Sequence, residues 1–251
     1  HNFVTDRTDG LPVADDQSHG TAVAGIAAAS GDNNRGVAGV APRAQLASWV
    51  IFGSGDSIVN EERLGDMFQF ASNIVSVQNH SWGNADPPQL GAALLERIGL
   101  TNALTKGRDG KGVVIVRSGG NNRGNGGDTN DDEYAADPRA IAVAAVRTDG
   151  RAASYSNVGA CLLVAAPSGD RLEGFAGIVT TDRLGTLGEN RIPSLDDSAD
   201  YGFDANAFSG TSAAAPQISG LAALLLSANP ALTSRDVQQI LLLSARHFDL
   251  A

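Results

Sequence analysis

The alternation of short apolar runs with longer helical stretches is the feature that most constrains the fold of this 251-residue chain. Five apolar runs have the length of buried strands, and five stretches carry apolar residues at helical spacing. The predicted strands are 46–52, 74–78, 112–117, 140–146 and 161–166. The predicted helices are 19–30, 61–72, 89–105, 212–228 and 233–245. Because strands that alternate with helices form a parallel sheet covered on both faces, the sequence predicts a mainly parallel three-layer α/β/α fold.

Composition fits one large domain spanning residues 1–251. With 42% hydrophobic residues the chain can bury a substantial core. No run approaches the roughly 20 apolar residues of a transmembrane helix, so we expect no membrane span. The net charge of −10 argues against a nucleic-acid partner and is compatible with cationic substrates. The acidic stretch 183–207 has no periodicity and is predicted to be a loop insertion.

Two motifs, one near each end of the chain, place a reactive side chain at the start of an apolar helix. One contains His19, within Ser-His-Gly-Thr-Ala-Val-Ala-Gly, and the other contains Ser212, within Gly-Thr-Ser-Ala-Ala-Ala-Pro. A Ser hydroxyl is a weak nucleophile unless an imidazole removes its proton. Pro216 is expected in the first helical turn, where its missing N–H costs little. Each motif alone is compatible with a helix cap or a turn, but together they favour a nucleophile and its base.

These motifs resemble the His and Ser motifs of subtilisin-like serine proteases, and two more segments agree in type and order. An apolar strand ends in Gly-Gly before Asn121, and an Asn-His-Ser-Trp-Gly segment lies upstream. The resemblance implies a subtilisin-like fold in which Ser212 is the nucleophile, His19 the base and Asn121 an oxyanion donor. It also implies that a cleft wall binds polypeptide substrates; its residues are Ser81, Trp82 and Gly83. Ala214 stands where an α/β-hydrolase elbow has Gly, which argues against that fold.

The Asp of the family's triad has no match in its usual place. The family carries it on a buried strand a few tens of residues before the His, and only eighteen residues precede His19. We therefore expect the Asp strand to lie upstream of His1. The isolated chain should then be nearly inactive, because loss of the Asp costs roughly 10⁴ in rate. Two alternatives stay open: Asp6 or Asp16 takes the role, or the chain is a non-catalytic peptide-binding module.

Three segments resemble the kexin- and furin-like proprotein convertases: Asn229–Gln238, Ile178–Asp182 and the acidic approach to His19. In that branch two Asp residues face an arginine at P1, and Asp86 and Asp132 match them by position. Buried carboxylates select a basic side chain because an apolar one leaves them unpaired.

Asp16 could serve a basic P2 residue in the same way. Alternatively, Asp86 and the acids at 128–132 are solvated loop residues of an acidic protein. The family resemblance also implies export from the cytoplasm, to the periplasm, the cell surface or the medium. It further implies a propeptide and a C-terminal P domain as partners.

The Ser30–Gly39 loop resembles the subtilase loop that wraps Ca²⁺. The implied ligands are the side chain of Asp32 or Asn34 and backbone carbonyls, with Val37 and Gly39 in the same loop. Oxygen-only ligation suits this hard cation, although a Gly/Asn/Asp cluster also forms ordinary turns. A second calcium site, weaker in its match, would use Asp86 and Asp128.

Overall fold

The centre of the protein is a four-stranded parallel sheet. The computed structural model describes residues 1–15, 17–83, 91–190, 200–202 and 207–247. In spatial and sequential order the strands are β1 (Val77–His80), β2 (Val114–Ser118), β3 (Ile141–Val146) and β4 (Leu162–Pro167). Val77 pairs with Val114, and Val116 pairs with Ile141. This register brings the carboxyl ends of β1 and β2 side by side, where open α/β sheets place their ligands.

Five α-helices and a small hairpin complete the described elements. The helices are α1 (His19–Ala28), α2 (Glu61–Gln69), α3 (Leu94–Lys106), α4 (Thr211–Ala228) and α5 (Ser234–Ser244). Short 3₁₀ turns lie at Ser54–Asp56, Arg123–Asn125, Thr129–Asp131 and Arg171–Glu173. Strands β5 (Thr180–Thr181) and β6 (Tyr201–Gly202) pair antiparallel. A reciprocal capping box of Thr233 and Asp236 starts α5.

Two apolar cores lie on opposite faces of the sheet. On β2, Val114 and Val116 pack with α4 and α5, while Val113, which precedes β2, and Ile115 of the strand pack with α2 and α3. Successive side chains of a strand point to opposite faces, so one continuous apolar run serves both cores. The predicted three-layer α/β/α architecture is confirmed.

Element boundaries differ from the predictions in several places. The segment 46–52 is not a strand. In the described residues Val50 forms only an isolated bridge with Asn2, and Phe52 forms one with Ile58, so no continuous neighbouring strand pairs with this segment. Strand β1 begins at Val77 rather than 74, after a turn in which Val75 bonds Ala71. Helix α3 begins at Leu94 in the described residues, where Glu96 accepts from the Ala93 N–H.

One described helix, α4, has the length and composition of a membrane span. Of its apolar window, 61% is buried inside the protein, and the helix contacts all four strands of the parallel sheet. The burial shows that its apolar residues are used to build the core.

Candidate active site

Ser212 lies in the first turn of α4 and is bound to the segment that follows β1. Its Oγ donates to the Ser81 carbonyl oxygen at 3.2 Å, and the Ser81 hydroxyl donates to the Ser212 carbonyl at 3.1 Å. Gly210, just before the helix, has φ 93°, a conformation that favours glycine. The helix N-terminus thus presents Ser212 together with backbone N–H groups that have no intrahelical acceptor.

Pro216 lies deeper in the helix than the sequence suggested, and its position explains the Ser81 contact. It is the sixth residue of α4, so the prediction of a first-turn proline is wrong. A residue at this position would normally donate its N–H to the Ser212 carbonyl, four residues earlier. Proline has no N–H, which leaves that carbonyl free to accept the Ser81 hydroxyl instead.

Asn121 is held beside Ser212 through Thr211. Its Oδ1 accepts from the Thr211 backbone N–H at 2.8 Å and from the Thr211 hydroxyl at 2.9 Å. A backbone N–H can only donate, so the atom that faces Thr211 is the amide oxygen. The Nδ2 group lies 3.2 Å from the position that a Cβ at Gly210 would occupy. It is therefore a donor aimed at the loop that precedes Ser212.

His19 is the first residue of α1, which packs against α4. Its ring meets the edge of Phe208, with 5.2 Å between ring centroids. His19 retains contact with solvent, but desolvation by the surrounding protein lowers its pKa, and the charge of Glu189 acts in the opposite direction. The Ser18 hydroxyl donates a hydrogen bond to Glu189 Oε1 at 2.9 Å.

The helix contact brings the elements of His19 and Ser212 together, but the described residues record no hydrogen bond between the two side chains. The Ser212 hydroxyl bonds the Ser81 carbonyl instead. Without substrate, catalytic hydrogen bonds are often long and form only in the complex. Asp6, one alternative for the third triad position, lies 3.5 Å from the His1 imidazole, and the other alternative, Asp16, lies outside the described residues.

The predicted cleft wall follows β1 directly. Ser81 is held by the Asn79 amide at 2.9 Å, and Asn79 in turn accepts from Ser219 of α4. The rings of Trp82 and Phe52 pack edge to face, with 6.2 Å between their centroids. A Cβ at Gly83 would lie 3.0 Å from an oxygen of Asp132, a tight contact that would require the Asp132 side chain to shift by a few tenths of an ångström.

Asp132 forms an ion pair inside the protein, a feature that sequence reasoning did not anticipate. Its Oδ2 accepts from Arg117 at 3.2 Å, and its Oδ1 accepts from the N–H groups of Tyr134 and Ala135. The alternative interpretation of Asp132 as a solvated loop acid is inconsistent with its burial, since only 7% of its surface is exposed. Asp86, its predicted companion, lies outside the described residues.

The residues predicted to bind calcium fall into two separate places. Residues 31–38 line an open cavity of about 340 Å³, and Asp32 and Asn34 both adopt a left-handed backbone conformation there. Val37 is half-buried and Gly39 is buried, where a Cβ would clash with the backbone of α1. Asp128 lies elsewhere, with Oδ1 taken by the backbone and side chain of Asn130. Among the described residues no cluster of three or more His, Cys, Asp or Glu side chains could hold a metal.

Three residues near the site were missed by sequence reasoning: Thr211, Glu189 and Arg117. Arg117 carried a visible signal, because it is a charged residue that directly follows the apolar run of residues 113–116. Glu189 is 170 residues from His19, and no local pattern connects them. Thr211 lies inside the Ser motif, but its bond to Asn121 depends on the packing of β2 against α4.

Comparison with known proteins adds an independent line of evidence. A calcium-dependent protease of Trichormus variabilis is 36% identical, over 98% of this chain and 38% of that protein. A dibasic-processing endoprotease of Schizosaccharomyces pombe is 34% identical, over 99% of this chain and 32% of that protein. The chain therefore spans well under half the length of the curated relatives it matches.

The structural comparison agrees with the sequence comparison. A solved complex of an Aeromonas sobria serine protease with a chaperone aligns with a TM-score of 0.83 and 30% identity, covering 99% of this chain and 46% of that one. The model of the subtilase family matches residues 2–250. On the strength of this match and of the fold, the chain belongs to the subtilase family.

Proposed function

We propose that this chain is the peptidase domain of a serine endopeptidase. The observation that carries the proposal is the Asn121–Thr211–Ser212 arrangement. Thr211 orients the Asn121 amide so that its N–H₂ group faces the loop before Ser212, at the N-terminus of α4. When Ser212 Oγ attacks a carbonyl carbon, negative charge would develop on the carbonyl oxygen, between the Asn121 N–H₂ group and the backbone N–H of Ser212. Each such donor contributes on the order of 10²–10³ in rate.

His19 is the proposed general base. It takes the proton of the Ser212 hydroxyl as Oγ attacks the scissile carbonyl, and returns that proton to the leaving amine. Water then hydrolyses the acyl-enzyme by the same route in reverse. To begin, Ser212 must give up its 3.2 Å bond to the Ser81 carbonyl, a neutral bond whose net contribution is only about 1 kcal/mol.

The remaining triad carboxylate is proposed to come from a strand that precedes His1 in the full-length protein, so that the 251-residue chain alone has little activity. This assignment rests on the family's pattern, in which an Asp orients the His and stabilises its charged form. Export from the cytoplasm is part of the proposal, and it is supported by an Aeromonas sobria relative that is named an extracellular serine protease. A propeptide or chaperone and a C-terminal P domain are the partners we propose.

A preference for basic P1 residues is the finer part of the proposal. It rests on Asp132, which is buried directly behind Gly83, and on Asp86, whose position in the sequence matches the convertase pattern. One of the relatives is named a dibasic-processing endoprotease, which supports the same specificity.

Calcium is proposed as a structural ion in the 31–39 loop. The loop offers oxygen donors only, from Asp32, Asn34 and backbone carbonyls, and its left-handed residues curl the chain as ion-wrapping loops do. A bound ion would cross-link this loop to the end of α1 and take no part in proton transfer. Two relatives are named calcium-dependent proteases, which supports the assignment.

The experiment is hydrolysis of two fluorogenic peptides that differ only at P1, Arg in one and Leu in the other. The full-length protein is assayed with calcium and with a chelator. We expect faster cleavage of the Arg peptide, reduced by chelation and abolished in Ser212→Ala.

Ser227→Ala is the matched control, because Ser227 is exposed at the far end of the same helix and its loss should change nothing. Labelling by a fluorophosphonate that depends on Ser212 should accompany cleavage. A folded wild-type protein that neither cleaves nor labels would favour a non-catalytic peptide-binding module.

A further inference from the structure

Arg117 is a buried cation and the one charged residue of β2. Its exposed fraction is 1%, and it points to the side of the sheet that holds Trp82 and Tyr134. The guanidinium carbon lies 4.4 Å from the centre of the Trp82 ring and 4.7 Å from that of Tyr134. Aromatic faces attract a cation, but a buried charge is expensive unless a counter-charge lies close.

Asp132 supplies that counter-charge. Arg117 Nη2 donates to Asp132 Oδ2 at 3.2 Å, and both side chains are almost completely buried. Among the residues that the structure describes, Arg117 Nε and Nη1 have no hydrogen-bond partner, and the cation is compensated there by the bond to Asp132 and by the two rings. The pair therefore adds no net charge to its surroundings.

The pair lies directly behind the predicted cleft wall. A Cβ at Gly83 would lie 3.0 Å from Asp132 Oδ2 and 3.5 Å from Arg117 Nη2. Gly83 is two residues from Ser81, a chain distance of at most about 7 Å, and the Ser81 carbonyl accepts from the Ser212 hydroxyl. A substrate side chain next to the scissile bond would thus meet this wall with the ion pair immediately behind it.

We propose that Arg117 is a specificity-determining residue that neutralises Asp132 from inside the protein and so weakens the selection of basic P1 side chains. The inference rests on the proposed function of the Ser212 site. A substrate arginine must compete with Arg117 for Asp132, so its gain over an uncharged side chain is smaller than an unpaired carboxylate would provide.

The test is a double-mutant cycle in the full-length protein, read as the ratio of kcat/KM for the Arg peptide to that for the Leu peptide. The charge of the pair is 0 in the wild type, −1 in Arg117→Met, +1 in Asp132→Asn and 0 in the double variant. We expect the ratio to rise about tenfold or more in Arg117→Met, to fall in Asp132→Asn, and to return near the wild-type value in the double variant. Asp86 is the same in all four proteins, so its contribution cancels.

Two features keep the cycle decisive. Asp132→Asn retains the Oδ1 acceptor for Tyr134 and Ala135, so it tests the inference even where Arg117→Met fails to fold. Arg117→Lys retains the charge and should keep the ratio near the wild-type value. Equal ratios in folded single variants that still cleave both peptides would overturn the inference and leave the protease intact. Absence of Ser212-dependent cleavage in the wild type would instead overturn the proposed function, and this inference with it.

Discussion

At the scale of single residues, His80 shows how the site's surroundings tune a titratable group. The ring is fully buried between Phe68 and Trp82, and its Nε2 lies 3.2 Å from the Gln78 side-chain oxygen. Burial, with a smaller contribution from the charge of Arg117, lowers the pKa of His80 to about 3. His80 is therefore neutral in the folded protein throughout the usual pH range.

This depressed pKa predicts a pH dependence of stability. Between pH 6.5 and about 3 the unfolded chain binds a proton at His80 and the folded chain does not, so the free energy of unfolding falls as the pH is lowered. Urea titrations should show that His80→Gln loses about 1.4 kcal/mol less per pH unit than the wild type within this window. Equal slopes in the two proteins would show that His80 does not contribute.

At the scale of elements, the crossing of α2 and α3 depends on two glycines. A Cβ at Gly99 would lie 2.0 Å from the Gly65 carbonyl oxygen, and one at Gly65 would lie 2.7 Å from that of Leu95. Both obstacles are backbone atoms, which cannot turn aside as a side chain can. The two helices can therefore approach this closely only while both positions lack a side chain.

Gly99→Ala should push the helices apart and lower the free energy of unfolding by about 1–3 kcal/mol, even though alanine favours a helix. Thermal or urea unfolding measures the effect. Gly20→Ala in α1 is the matched control, because nothing lies within 4 Å of a Cβ there and stability should be unchanged or slightly higher. If both variants unfold like the wild type, the close crossing is not a determinant of stability.

At the scale of the whole molecule, the candidate site is assembled from segments that are far apart in the chain. Three hydrogen bonds of the site join residues that are distant in sequence. The bond between Ser212 and Ser81 spans 131 residues, that between Thr211 and Asn121 spans 90, and that between Ser18 and Glu189 spans 171. Thr180 and Thr181 of β5 bond carbonyls of α1, which positions the loop that carries Glu189 near His19. The charge around His19, the proposed base, is thus set by long-range packing.

Glu189→Gln should move the acid limb of the pH profile of kcat/KM to lower pH. The negative charge of Glu189 raises the pKa of His19 against the larger lowering by desolvation, so its removal leaves His19 neutral to a lower pH. Glutamine can still accept from Ser18, which separates charge from anchoring. Glu173→Gln, at an exposed carboxylate near Arg147, is the control. A limb that stays in place or moves to higher pH would contradict the assignment.

Much of this architecture was predictable because its causes are local. The apolar run before Asn121 and the capping box at Thr233 are set by neighbouring residues, and the structure has strand β2 and helix α5 where they were expected. The prediction of a strand at 46–52 was wrong because a strand requires a hydrogen-bonded neighbour, and the composition of the segment itself does not reveal whether one is present. The roles of His19, Ser212 and Asn121 stay predictions; Ser212→Ala tests the nucleophile, and Glu189→Gln tests the base.

By itself, the sequence determined the order of strands and helices and the residue types available for chemistry, since both depend on periodicity and on neighbours along the chain. Only the tertiary structure decided what each polar group bonds. In the folded protein the Asn121 oxygen accepts from Thr211, and Arg117 donates to Asp132. The Ser212 carbonyl accepts from the Ser81 hydroxyl because Pro216 has no N–H to donate to it. Those choices follow from the rule that buried polar groups and charges must find partners wherever packing brings them.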